Sequence, residues 1–159
     1  YGKFFQAMCQ WYEAARVGVD GNTLHHAVHD LLDGPDHYVE LNCGHYTGRD
    51  EWVNALSYDG SKYTLPDGAY MQVDIISSKS DPTRTAICED PAVIAGPELR
   101  AALAQQYPDV YARIAARQKA MRETLGIALH DDVLPLSNIN AAMFPFMLNL
   151  DVVFALEEC

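Results

Sequence analysis

Three residues far apart in the chain, His45, Asp74 and Glu89, carry the side chains of a hard, mixed nitrogen and oxygen ligand set. One imidazole with two carboxylates suits manganese, cobalt, zinc or iron better than calcium. Asp74 and Glu89 lie in two strand-like runs, 69–77 and 83–89, separated by the polar stretch 78–82, which reads as a hairpin. If its turn is centred between Asp81 and Pro82, Asp74 faces Glu89 across the ladder. Directly opposite residues hold their Cβ atoms about 4.5–5.5 Å apart, and like charges placed there are destabilising. The neighbouring pair on that face would be Ile76 and Ile87, apolar surroundings in which solvent screens poorly. A divalent cation answers the repulsion, because two carboxylates can bridge a pair of ions roughly 3.5–4 Å apart. The alternatives are that one carboxylate points to solvent, or that the register is shifted by one residue and the two side chains take opposite faces. His45 supplies the third donor. It lies in the loop Gly44-His45-Tyr46-Thr47-Gly48, directly after a strand, where glycines let the backbone approach closely and a neutral imidazole can reach a metal.

The elements around these residues are expected in the following order. Phe4, Phe5, Met8, Trp11, Tyr12 and Ala15 recur at helical spacing, predicting a helix over 4–17 ended by Gly18. A second helix, capped by Asn22 or Thr23, carries the stripe Leu24, Ala27, Val28, Leu31 and Leu32 and stops at Gly34-Pro35. Its histidines His25, His26 and His29 invite a metal reading, since 25 and 29 lie one turn apart. With no acidic partner in view, a solvent-exposed polar face is the better account. A strand is expected over 37–41, a short one over 61–65, and helices over 97–106 and 109–125, with Pro108 separating the last two. The stretch 132–149, interrupted by Pro135 and Pro145, reads as an irregular packing arm. Arg100, Arg113, Arg117 and Arg122 are expected on solvated helix faces, and Met143 to Met147 in core or dimer packing. The fold class is α+β, with helices before and after a central antiparallel sheet.

Composition restricts the partners. The chain has 159 residues, enough for one domain with its own core, and its 22 acidic against 11 basic residues give a formal charge of −11. That balance argues against nucleic acid or an anionic membrane surface as a partner. Neither a bilayer-spanning apolar run nor a signal peptide is visible, so a cytoplasmic location is the default. Cys9, Cys43, Cys88 and Cys159 form no close pair, so they read as reduced thiols, two of them buried, and not as zinc ligands. Tyr1 opening directly into a helix suggests a truncated start.

The order of motifs resembles a known family. Gly44-His45-Tyr46-Thr47-Gly48, then Leu65-Pro66-Asp67-Gly68 leading to Gln72-Val73-Asp74-Ile75-Ile76, then Cys88-Glu89-Asp90 before an apolar strand, is similar to the pita-bread metallopeptidases. That family includes aminopeptidase P, prolidase, methionine aminopeptidase and creatinase. The resemblance covers roughly residues 4–94. It implies the pita-bread fold in part, with residues 1–96 as family-like core, 97–159 as a helical C-terminal extension, and the whole chain as the C-terminal part of one catalytic domain.

The family's site holds two divalent ions on two aspartates, a histidine and two late acidic residues. Residue by residue, His45 matches the histidine, Asp74 the first late acid and Glu89 the second. Asp74 is also the candidate to manage the proton of a metal-activated water. The family has Glu where Asp74 stands, and a second histidine where this chain has Arg49-Asp50-Glu51-Trp52. Its two aspartates come from a hairpin ahead of the first helix. The resemblance therefore implies a fragment of an Xaa-Pro aminopeptidase or prolidase-like hydrolase, manganese being the leading metal and cobalt, zinc or iron options, and the isolated chain inactive. Tyr46, Arg49, Trp52 and Arg84 are candidates to bind a peptide or dipeptide substrate, and a homodimer is left open. Two other readings stand beside it: a non-catalytic pseudoenzyme or peptide-binding module, and a creatinase-like amidinohydrolase.

Overall fold

A computed structural model describes residues 1–35, 37–80 and 83–157. The element order is α1 (Gly2–Ala14), α2 (Gly21–Leu32), β1 (His37–Glu40), β2 (His45–Tyr46), a 3-10 turn (Glu51–Val53), β3 (Ala69–Ser80), β4 (Thr83–Ile94), α3 (Pro97–Gln106), α4 (Pro108–Glu123) and β5 (Val133–Pro135). This is the expected α+β class: among the described residues there are four α-helices and a five-stranded antiparallel sheet in the order β1-β3-β4-β5, with β2 also pairing β3.

Alternation along the long hairpin divides the sheet into two faces. Met71, Val73 and Ile75 of β3, with Cys88, Ala92 and Ile94 of β4, point to one face and join the main core. On that side α1 buries Phe4, Phe5, Met8, Trp11 and Tyr12, and α2 buries Leu24, Val28 and Leu32. Burial of such aromatic and aliphatic side chains stabilises each by about 1.5–3 kcal/mol relative to exposure. Ala95, Ile114 and Leu134 form a second, small cluster with Val93, Leu103 and Leu136, which brings α3 and α4 against the β4–β5 end.

Several boundaries differ from expectation. α1 stops at Ala14, four residues before Gly18, which lies in the following turn at φ +83°. α2 is capped by Asp20, whose carboxylate accepts from Thr23 N at 2.8 Å. Gly21 can follow it because a Cβ there would come within 1.9 Å of the Leu56 carbonyl oxygen. The stretch 61–65 yields only an isolated bridge, Asp20 to Thr64. β3 runs on to Ser80, three residues beyond the expected end of the strand, and Asp81 and Pro82, where the turn is expected, lie outside the described residues. α3 spans 97–106 as expected, and Pro108 opens α4 in its first turn, the position where its missing N–H costs nothing.

The arm after α4 is more ordered than its prolines suggest. β5 pairs with β4 from Ala92↔Pro135 to Ile94↔Val133, and Gln118 donates its side-chain amide to Val133 O at 2.7 Å and to Asp131 O at 3.2 Å. Three of the arginines expected in solvent are fasteners for this segment. Arg100 pairs with the buried Asp132, Arg117 donates to Asn138, and Arg122 donates to Leu129 O and Asp131. Cys9, Cys43 and Cys88 are free and buried, one more than expected, and Cys159 lies outside the described residues. Among the described residues no helix is long and apolar enough to cross a membrane.

Candidate metal centre

The hairpin register places Asp74 opposite Glu89 and Ile76 opposite Ile87. β2 then adds His45 to the same face, because His45 pairs with Gln72, two residues before Asp74. The loop that delivers it is tied down on both sides. Trp11 Nε1 donates to Cys43 O at 2.9 Å, and Gly44 N donates to Asp74 O at 2.9 Å. Gly44 sits at φ +97°, and a Cβ there would lie 3.2 Å from the Trp11 ring, so this approach needs glycine twice over.

The three donors reach one point: a ligand atom from each of His45, Asp74 and Glu89 lies within 4.8 Å of the others. His45 Nδ1 lies 3.1 Å from the Tyr46 carbonyl oxygen. That oxygen can only accept, so the neutral ring carries its hydrogen on Nδ1 and presents a lone pair at Nε2. Nε2 in turn lies 3.7 Å from Asp74 Oδ2, too far for a hydrogen bond. Asp74 Oδ1 is fully buried and has no hydrogen-bond partner. Burial, reinforced by the Glu89 carboxylate and only partly offset by His45, pushes the Asp74 carboxyl above its usual range. A buried carboxylate with one oxygen lacking any donor, next to an imidazole and opposite a second carboxylate, is a pattern a cation satisfies. Ligands around one such ion sit about 3.0–3.5 Å apart when metal bonds are near 2.1 Å, so the present spacings need only small side-chain adjustments. The residues present therefore fit a divalent metal.

Glu89 departs from expectation. The face around it is not a sealed apolar patch, because Ile87 is 62% exposed and Glu89 is itself exposed, whereas Asp74 is 7% exposed. The cause is topological. β3 is flanked by β4 on one side and by β1 and β2 on the other, while β4 meets β5 only from Ala92 to Ile94.

Of the substrate-binding candidates, Tyr46 and Arg84 lie on the face of the sheet opposite this centre. Tyr46 pairs with Met71 and packs, partly buried, against the main core, with burial raising its phenol above the usual range. Arg49 is exposed in the turn after β2, and the side chain of Trp52 lies outside the described residues. Arg84 pairs with Lys79 near the far end of the hairpin, roughly 17 Å along β4 from Glu89 at about 3.3 Å per residue. It lines a separate cavity of about 120 Å³ with Tyr1, Phe4, Leu32 and His37.

The histidines of α2 are not a plain solvated face. His26 is held by Asp30 at 2.9 Å and Asp59 at 3.3 Å, and the Asp30 hydrogen bond raises its pKa. His25 and His29 stack with ring centroids 3.8 Å apart, and burial beside His29 and His26 lowers the pKa of His25. His29 Nδ1 lies 2.8 Å from Asp33, an acidic partner one helical turn further along. That i, i+4 spacing was the available sequence signal, whereas the proximity of Cys43 to these rings had none.

Comparison with known proteins returns no match, whether to a family model, a curated protein or a solved structure.

Proposed function

We propose that the chain carries part of the metal centre of a metal-dependent hydrolase, with His45, Asp74 and Glu89 as ligands, acting on an N-terminal peptide bond in the manner of an Xaa-Pro aminopeptidase or prolidase of the pita-bread fold. The observation that carries this reading is the buried, partnerless Asp74 Oδ1 on a carboxylate whose other oxygen lies 3.7 Å from His45 Nε2 and which faces Glu89. The motif order around 44–48, 65–76 and 88–90 supports the family and, through that resemblance, manganese as the metal. Bound there, divalent ions would lower the pKa of a coordinated water and polarise a substrate carbonyl.

This chain's own residues then have distinct tasks. The Tyr46 carbonyl fixes the His45 tautomer so that Nε2 faces the site. The Asp74 carboxyl, raised by burial and by Glu89, is suited to accept and return a proton at Oδ1. Glu89, at the open edge, completes the set without being buried.

A non-catalytic binding module is favoured by one observation: among the described residues the group that converges on this point stops at three ligands, which hold one ion more readily than two. Calorimetric titration with Mn²⁺, paired with an Xaa-Pro dipeptide hydrolysis assay, separates the readings. The hydrolase reading expects weak Mn²⁺ binding by the chain alone, at least tenfold weaker in Asp74→Asn and Glu89→Gln. Equal binding by all three proteins would sink the centre. Binding without hydrolysis, even when the centre is completed by added acidic ligands, would select the binding module.

A further inference from the structure

Outside the His45 centre, a second group of donors converges where α2 meets the loop before β2. One ligand atom from each of His25, His29 and Cys43 lies within 4.8 Å of the others. We propose that these three residues form a separate zinc site with an open coordination position, independent of the His45 centre and of any peptidase reading.

The donor set is softer than that of the first centre. Two imidazoles and a thiolate prefer zinc or copper, whereas His45 with two carboxylates prefers harder ions. Around a tetrahedral zinc, with bonds of about 2.0–2.3 Å, ligand atoms lie about 3.3–3.6 Å apart, so the three side chains need to close by roughly an ångström. Supporting contacts orient two of the ligands. Asp33 accepts from His29 Nδ1, which leaves His29 Nε2 as the ligand atom, and Val39 N in turn donates to the other Asp33 oxygen at 3.0 Å. Such a carboxylate behind a histidine is the usual outer support of a zinc ligand. Cys43 Sγ is buried and fixed in place, 2.7 Å from Ser57 Oγ and donating to Leu24 O at 3.5 Å.

Selectivity within α2 also fits. His26, adjacent to His25, has Asp30 at one ring nitrogen and Asp59 at the other, so it has no ligand atom to offer. His29 has a carboxylate at Nδ1 only. His25, His29 and Ser57 border a cavity of about 420 Å³ with Leu41, Ala55 and Tyr58, so a fourth ligand, water or a small solute, has access to the site. The result is three protein donors and an open face, the ligand count of a reactive zinc position and not of a closed structural one.

Cobalt reports thiolate ligation directly, because a cobalt–thiolate bond gives a charge-transfer absorption in the near ultraviolet that nitrogen and oxygen ligands do not. The metal-free chain, kept reduced, is titrated with Co²⁺. The expected result is a saturable thiolate band that disappears in Cys43→Ser, weakens at least tenfold in apparent affinity in His29→Gln, and persists in His45→Ala. Zn²⁺ should displace the Co²⁺ and abolish the band. Should Cys43→Ser fail to fold, His25→Gln and His29→Gln, both on the partly exposed side of α2, decide the matter alone. No band in the wild-type chain overturns the proposal. So does a band that survives His29→Gln and His25→Gln at full affinity, or one lost with His45→Ala. Because the band depends on sulfur, its absence leaves the His45 centre untouched, and failure of Mn²⁺ binding there leaves this one standing.

Discussion

Asp74 and Asp90 belong to the same hairpin, sit on its opposite faces, and are both pushed up in pKa chiefly by burial. Their surroundings differ. Asp90 Oδ2 receives Ala141 N at 2.7 Å, Tyr12 OH at 3.2 Å and Cys88 Sγ at 3.4 Å, and Asn140 extends the network by donating to Tyr12 OH and Pro91 O. Asp74 has a carboxylate opposite, the His45 imidazole 3.7 Å from Oδ2, and no donor for Oδ1. A fold that buries a carboxylate for its own stability surrounds it with donors, as at Asp90. The absence of such donors at Asp74 is what the proposed metal centre accounts for.

The difference can be broken most severely at Asp90. Asp90→Ala strands the Tyr12 hydroxyl and the Ala141 amide, and should destabilise the chain by about 3 kcal/mol, read as a lower urea midpoint at unchanged slope. Next in size is metal affinity. Asp74→Asn should cost at least tenfold in Mn²⁺ binding, about 1.4 kcal/mol, while Asp90→Asn should leave it unchanged. In the absence of metal the same Asp74→Asn should raise stability at neutral pH by about 1 kcal/mol, because it removes a buried charge that faces another. A lower melting temperature for metal-free Asp74→Asn would contradict this account.

The pH dependence sharpens the comparison further. A carboxyl whose folded pKa is raised binds more protons in the folded than in the unfolded state, so stability falls as pH climbs from the ordinary carboxylate range through the raised value. The metal-free wild type should show this decline, Asp74→Asn a shallower one, and added Mn²⁺ should reverse the Asp74 share, because the ion binds the ionised form. Thermal melts across that range with and without Mn²⁺ provide the check. The smallest expected effect is at the exposed edge: Glu89→Gln should change metal-free stability by no more than about 0.5 kcal/mol, although it weakens Mn²⁺ binding.

What the sequence disclosed about this region follows the range of the interactions involved. The Asp74–Glu89 pairing was legible because strand alternation and turn residues are local, and a twelve-residue strand on each side leaves little room for slippage. The exposure of Glu89 was not, since it depends on where β5 stops along β4, and β5 is a three-residue strand ending at a proline with no alternation to announce it. His45 was found from its flanking glycines, yet its burial comes from pairing with β3. The α2 histidines were misjudged for the same reason: Asp33 is close in sequence, but what fixes its carboxylate is a backbone amide from β1. Likewise Arg100, Arg117 and Arg122 looked like solvated helix residues because their partners arrive from a segment with no helical or strand period.

One consequence of the hairpin bears on how such a chain can change over generations. The Asp74–Glu89 pair lies well inside the ladder, and the pairs beyond it, from Ile75↔Cys88 out to Ser80↔Thr83, separate it from the turn. Losing or gaining residues in matched pairs at the outer end, one from each strand, shortens or lengthens the arm while every inner partner stays where it is. A single-residue insertion between Asp74 and Ser80 has no such freedom, for it must bulge or turn the ligand face over. Relatives are therefore expected to differ in hairpin length by even numbers, with odd differences marking those in which the two carboxylates no longer meet.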